Sequence, residues 1–443
     1  MDSENKENHS GTLSIFEKLR LEKIINIGRR VKETTKSNAR SVIHSMKVGL
    51  AITIITLIYY YRFCDQGLKV SGTWAVLTVV LVFEHSVGAT LGKGLSRAMG
   101  TILGAIFSIG ARQVAHLAGQ KAEPVLSCIF VFLIGALMTF LRFIPKTKAW
   151  YDYGLVVFIL TFSLISISGY NELLDTAQQR ICAILTGGFV AAIVCVLICP
   201  VWAGDDLHIL ISRNIEKLGN FLGEFAEEYF KPTKEELSAE KNAFIEGYKS
   251  VLNTKSKEDS LVNFAKWEPP RYQRFRYNHP WKHYTIIGAV VQECGCNLKA
   301  LNGYLQTEFQ ASREVKERFE ATCTKISHET AKALKNLASS LKTMTKPSPF
   351  VKSHIENAKT AANDLKYMFK TSLWQDTNLA DVIPPAAIAS LLMEVVACTE
   401  KISEAVQELA SLAGFENADE VGHASSMSKT NIEANIVCVI SSG

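Results

Sequence analysis

The chain is poor in the features that announce an enzyme. Serines, histidines and carboxylates occur throughout its 443 residues, yet no local pattern assembles a nucleophile, a base and an oxyanion site. A non-enzymatic protein that needs no cofactor is the expectation. Cysteines number ten and lie scattered at 64, 128, 182, 195, 199, 294, 296, 323, 398 and 438, which suits free thiols better than a disulfide framework. Cys294-Gly-Cys296 lacks zinc-knuckle spacing and a second pair, and Pro280 interrupts the helix that His279 and His283 would need to act as a metal pair. The glycine-rich stretch from Glu84 to Arg97 has the wrong spacing for a nucleotide-binding loop. No continuous apolar core occurs in the first 47 residues, so a cleaved signal peptide is not expected and the first membrane span serves as the insertion signal.

Long apolar runs are what the chain does have. Hydrophobic residues make up 48% of it and cluster between Val48 and Trp202, in runs at 48–63, 70–83, 98–118, 124–141, 153–169 and 181–202. Most approach the roughly 20 residues that cross a bilayer as helix. The run at 70–83 is the shortest and is kept as a short span. The expected fold is therefore an all-α membrane protein: a cytosolic segment 1–47, six transmembrane helices in 48–203, a cytosolic helical bundle in 204–415 and a disordered tail in 416–443. Leu13, Phe16, Leu19, Ile24, Ile27 and Val31 recur at near-helical spacing with basic residues between them. An amphipathic helix results, lying either on the lipid surface or on the cytosolic domain.

The net charge of +5 reads as sidedness rather than as a nucleic-acid surface. Ten basic residues precede the first span, and Lys93, Arg97, Arg142, Lys146 and Lys148 fall in the second and fourth loops. The intervening loops carry fewer, which places both termini in the cytosol.

Within 72–112 a cationic stripe appears. Lys93, Arg97, Thr101, Gly104, Ser108 and Arg112 are three or four residues apart, hence on one helix side, with Met99, Ile102, Leu103, Ile106 and Ile109 opposite. A charge in hydrocarbon costs roughly 3 kcal/mol even on insertion scales, so the stripe must face protein or water. Anions are its natural cargo. The helix is expected to begin near Gly94, where its N–H groups could help to hold one. Gly100-x-x-x-Gly104 is a signal for close helix packing. Glu84 stands at the inner mouth, as a partner for Lys93 or Arg97 or, with His85, as a titrating group of a proton-coupled exporter of organic or aromatic acids. Gly49, Thr53, Thr56 and Tyr60 on span one, and Thr161, Ser163, Ser166 and Ser168 on span five, either line a pathway or serve packing and local backbone bonding.

Arg180 sits before span six on the expected outer side, either on the pathway or snorkelling at the interface. Asp65, Glu172 and Asp175 are outer carboxylates that either ligate a hard external cation or are solvated loop charges. Span four, rich in Phe and Leu, is expected outermost. Beyond 205, helices are expected over 210–230, 239–252, 283–309, 313–345, 350–371 and 384–414, broken by prolines. Trp267, Glu268, Pro269 and Pro270 open a dense non-helical patch with Arg271, Arg274, Arg276 and Trp281. It is read first as a structural loop, with an effector site for a nucleotide or acidic lipid as the alternative.

Several motifs together carry a family resemblance: Trp74 to Val80 with Phe83-Glu84, Val87 to Arg97, Asp152-Tyr-Gly with Phe158 to Phe162, Pro200 to His208, Trp267-Glu-Pro-Pro270 and His279-Pro-Trp-Lys282. The chain resembles the plant aluminium-activated malate transporter family from about Val42 to Leu412. That resemblance implies a homodimeric anion channel that conducts malate and often other anions, with pore-lining cations on Arg97 and Arg180 and external carboxylates near Asp65, Glu172 and Asp175. The outer loop 170–179 departs from the family pattern in being short and poor in acids. Similarity to the shorter members implies the plasma membrane in preference to the vacuolar one.

Overall fold

Thirteen helices, two isolated backbone bridges and no strand make up the described residues of a computed structural model of the chain, namely 39–61, 66–119, 121–167, 173–230, 239–271, 275, 279–306, 313–370 and 379–417. The expected N-terminal amphipathic helix lies outside them, as do Asp65, Glu172 and residues 418–443. The chain divides into two compact units, Met1–Val201 and Trp202–Gly443.

The first unit holds α1 (Ala39–Tyr61), α2 (Gln66–Val82), α3 (Val87–Leu117), α4 (Glu123–Phe143), α5 (Pro145–Ile167) and α6 (Leu173–Leu197). Each of the six apolar runs falls on one of them. By length and composition α1, α3, α4 and most of α6 can cross a membrane, while Gly72–Val82 and Tyr151–Ile167 are shorter apolar segments. Two boundaries differ from expectation. Helix α3 starts at Val87, because Ser86 has extended backbone and its hydroxyl accepts the Ala89 N–H at 3.3 Å as an N-cap. The glycines at 88, 92 and 94, which suggested a turn, are inside the helix, and no helix N-terminus exists near Gly94. Likewise α6 begins at Leu173, with Asp175 in its first turn where the helix dipole favours an acid. Arg180 is thus a helical residue and not a loop residue.

Small residues set the helix spacing. A Cβ on Gly100 would fall inside van der Waals contact with the Gly154 carbonyl of α5, and one on Gly187 would lie 2.6 Å from the Ala75 carbonyl of α2. Helices α3 and α5, and α2 and α6, therefore pack backbone to backbone. At the far end of the scale α4 buries no residue, as its uniformly apolar surface led one to expect. The hydroxyls of Thr53 and Thr56 bond back to Gly49 and Ile52 carbonyls at 2.9 Å and are exposed, so the polar face of α1 is self-satisfied. Buried Lys47 instead ties α1 to the end of α6 through the Cys199 carbonyl at 2.7 Å, where Cys199 takes a left-handed φ of 41°.

The second unit holds α7 (Ala203–Phe230), α8 (Ala239–Leu252), α9 (Lys255–Ala265), α10 (Trp281–Gln306), α11 (Arg313–Thr343), α12 (Pro349–Lys370) and α13 (Leu379–Ala413). Helix α9 was not expected: it is short and carries four charged residues, so its buried Leu261, Val262 and Ala265 make only a weak stripe. On α7, Ile211, Ile215, Leu218, Phe221, Leu222 and Phe225 recur every three or four residues and are fully or almost fully buried. Most of α13 is long and apolar enough to cross a membrane, but half of that stretch is buried and Leu392, Val395, Ile402 and Val406 belong to the bundle core. Glu416, where the tail was expected to begin, is still held by backbone bonds to Met344 and Lys346. Phe221 packs edge-on to Tyr248 with ring centroids 4.9 Å apart. Phe221→Ala should destabilise the bundle by about 3–5 kcal/mol, read as a lowered unfolding midpoint in denaturant. Among the described residues eight cysteines are free thiols.

Candidate functional site

The stripe on α3 is turned inward. Arg97, Thr101 and Ser108 are 3%, 1% and 0% exposed, whereas Met99, Ile102, Leu103 and Ile106 on the opposite side are exposed. Its members are not equivalent. Lys93, half exposed, forms an ion pair with Glu84, so the inner-mouth acid is a salt-bridge partner of the nearer cation. Arg112 pairs with Glu123 at 3.3 Å and donates to the Ser166 carbonyl at 2.9 Å. Charge at both ends of the stripe is thereby neutralised.

Its middle is not. Arg97 donates from Nε to Thr78 Oγ1 on α2 and from Nη1 to the Tyr153 hydroxyl on α5, both at 3.2 Å. From α6, Arg180 lies over the ring of Trp74 on α2 at 4.1 Å and is 5% exposed, which excludes snorkelling into solvent. The two arginines, with Thr101 and Thr161, line one cavity of about 10 Å³, room for about one water. Among the described residues no carboxylate lies within 4.0 Å of either guanidinium. The Thr101 hydroxyl, also buried there, has no hydrogen-bond partner. Two cations without a carboxylate partner and one hydroxyl without a hydrogen-bond partner converge between the four helices α2, α3, α5 and α6.

Buried charge without a counterion is costly, and here two such groups line one cavity. Thr78, Tyr153 and Trp74 orient these guanidiniums. Sequence reasoning gave them no such role, because their spacing along the chain carries no hint of the contact; an unusual Trp and Tyr within apolar runs was the only available signal. Of the remaining candidates, Asp175 is exposed at the start of α6. The His85 ring stacks on His44 with centroids 4.0 Å apart. Ser166 does not face the cavity but shares a 3.0 Å bond with Ser108.

In the second unit, the Trp267-Glu268-Pro269-Pro270 motif caps a helix. Glu268 accepts the backbone N–H groups of Ala203 and Gly204, the first residues of α7, while Arg271 pairs with Asp205 at 2.7 Å and lies over the Trp202 ring at 4.3 Å. Prolines 269 and 270 stiffen the segment between these contacts. Burial outweighs the N–H donors and pushes the Glu268 carboxyl up to about 7. Burial lowers His279 to about 4, so it is neutral where it meets the Tyr284 hydroxyl at 3.3 Å. A folded-state value above the ordinary 4.5 means the native protein holds more protons than the unfolded chain between 4.5 and about 7. Stability contributed by this group is therefore full below that window and falls as pH rises through it. Glu268→Gln should flatten that slope in thermal unfolding of the purified protein, and Glu268→Ala should cost about 1 kcal/mol for the lost cap below that window.

These features define a multi-pass, all-α membrane protein with a cationic interior. The sequence profile of the family described as aluminium activated malate transporter matches residues 32–374, and the chain belongs to that family. It is 43% identical over 404 residues to aluminum-activated malate transporter 2 of Arabidopsis thaliana, covering 90% of this chain and 80% of the relative. Transporter 1 of the same plant is 40% identical over 406 residues, covering 90% and 82%. Aluminum-activated malate transporter 1 of Triticum aestivum is 39% identical over 403 residues, covering 88% and 86%. The family is one of membrane transporters and not of enzymes.

Proposed function

We propose that the protein is a passive anion channel of a plant membrane, conducting malate and other organic or inorganic anions past Arg97 and Arg180. The observation that carries this reading is the pair of buried guanidiniums lining one cavity without a carboxylate partner. Cations so placed lower the barrier for a dicarboxylate and reject cations, as basic side chains do in anion pores. A space for about one water is too small for malate, so the cavity is a constriction that widens when the pathway opens. The dimer in which two subunits share or flank the pathway, and residence in the plasma membrane, belong to the same proposal. Lys93 and Arg112 flank the constriction as members of ion pairs, and the outer carboxylates Asp65, Glu172 and Asp175 are the candidate ligands of a gating cation.

A proton-coupled exporter is the second reading, and the inner-mouth acid it would use, Glu84, is the ion-pair partner of Lys93. Patch-clamp recording with malate, nitrate and chloride substituted on each side separates the two. A channel current reverses at the anion's Nernst potential and ignores an imposed pH gradient; a reversal that tracks the pH gradient sinks the channel reading.

A further inference from the structure

The sequence holds eleven prolines, and a single serine or threonine stands directly before one of them: Ser348, ahead of Pro349. That dipeptide falls where the backbone of the second unit leaves regular structure. Helix α11 closes on a tight turn in which the Thr345 N–H donates to the Ser340 carbonyl at 3.0 Å and Met344 takes a left-handed φ of 56°. Thr345 then bridges to Glu416, whose carbonyl accepts the Lys346 N–H at 2.9 Å. Helix α12 begins at Pro349, whose missing N–H costs no hydrogen bond at the first helical position. Ser348 thus occupies a short irregular stretch held at both ends. Its hydroxyl accepts the Phe350 N–H at a long 3.4 Å and donates to nothing among the described residues. The surroundings are open and basic. Pro349 is exposed, Phe350 is 69% exposed, and Lys342, Lys346 and Lys352 are exposed on either side of the serine. Residues 330–355 contain no acid, and Glu416, brought alongside by the bridge, is itself exposed.

From this placement we infer that Ser348 is a phosphorylation site for a proline-directed protein kinase, and that the phosphate it receives caps α12. Kinases of this class accept a hydroxyl only where proline follows it, because the ring fixes the backbone beside the reacting oxygen. Ser348 Oγ attacks the γ-phosphorus of ATP. The new O–P bond forms as the bond to the bridging oxygen of the β-phosphate breaks, ADP leaves, and the hydroxyl proton passes to the catalytic aspartate of the kinase. The acceptor segment must extend into the kinase. The first turn of α12 can open for this, since its leading N–H groups have no partner within the helix and it buries only Val351. Once formed, the phosphate carries a charge of about −1.5 to −2 and three acceptor oxygens. It replaces the weak hydroxyl contact at the positive end of the helix dipole, with Lys352 one turn along the same face.

The test incubates the full chain in lipid nanodiscs with ATP and a mitogen-activated protein kinase, a proline-directed enzyme, and locates phosphate by mass spectrometry of the intact chain and its peptides. A phosphate on Ser348 is expected. Pro349→Ala keeps the hydroxyl and suits the helix but removes the ring that is recognised, so incorporation should slow by roughly tenfold or more. Ser348→Thr retains a hydroxyl before proline and should still be modified. Trypsin cleavage after Lys352 should slow once the phosphate is in place, and the Ser348→Ala chain treated in the same way should be cleaved at the original rate. The assay reads phosphate and not current, so its outcome is independent of the anion pathway. An unmodified Ser348, incorporation that Pro349→Ala leaves unaffected, or cleavage after Lys352 that the phosphate does not slow overturns the inference.

Discussion

Arg180→Ala is expected to cut malate current by roughly tenfold or more at equal surface abundance. A carboxylate about 4 Å from a guanidinium gains roughly 4 kcal/mol at an effective dielectric of about 20, and about a third of that is already tenfold in rate. The substitution is clean in structural terms. Among the described residues the Arg180 guanidinium is seated on the Trp74 ring, with no ion pair to break, so removing it disturbs little except the charge. Arg97→Ala should be at least as severe, since it also releases Thr78 and Tyr153 and loosens α2 from α5. Arg97→Lys separates these two contributions. It keeps the charge but cannot reach two partners on different helices with a planar fork, so partial current with altered gating is the expected result. Whole-cell currents with surface biotinylation check all three, and wild-type current from Arg180→Ala at normal abundance would remove that residue from the pathway.

Gly100→Val should abolish correctly folded protein. The added side chain would meet the Gly154 carbonyl, which belongs to the backbone of α5 and cannot rotate aside, and a Cβ on Gly104 one turn on would lie a tight 3.0 Å from the Phe158 carbonyl. Overpacking costs about 1–3 kcal/mol where neighbours can yield and more where they cannot. Separating α3 from α5 also removes Arg97 from Tyr153, so packing and site fail together. Gly110→Ala provides the contrast, because nothing lies within 4 Å of a Cβ there. Size-exclusion profiles of the detergent-extracted variants should show loss of the monodisperse peak for Gly100→Val and its retention for Gly110→Ala. A normal peak for both would mean that the helices are not in backbone contact.

Much of the membrane domain was legible because lipid and water leave strong periodic marks on a sequence. Six apolar runs located six helices, and the three-to-four spacing of the stripe identified the buried side of α3 from Arg97 to Ser108. What failed were the edges. Gly88, Gly92 and Gly94 read as a turn, yet glycine is common inside membrane helices, where it serves packing, and the short-range signal that mattered was Ser86 as a cap. Arg180 looked like a loop charge because an arginine usually ends an apolar run; the Trp74 ring that accepts it lies on another helix, invisible to any local pattern. The same holds for Glu268, whose capping of α7 joins residues more than sixty positions apart. Asp65 and Glu172 fall outside the described residues, so the outer acidic group rests on sequence alone.

Current amplitude reports gating and abundance as well as permeation, whereas the reversal potential reports permeation alone. The most direct measurement is therefore the reversal potential of Arg180→Gln with malate on one side and chloride on the other, in a potassium gradient. If Arg97 and Arg180 form the selective constriction, neutralising one should move the reversal potential away from the malate and chloride equilibrium values and toward that of potassium. A reversal potential identical to that of the unmodified protein, at any current size, would contradict the assignment of this cavity to the anion path.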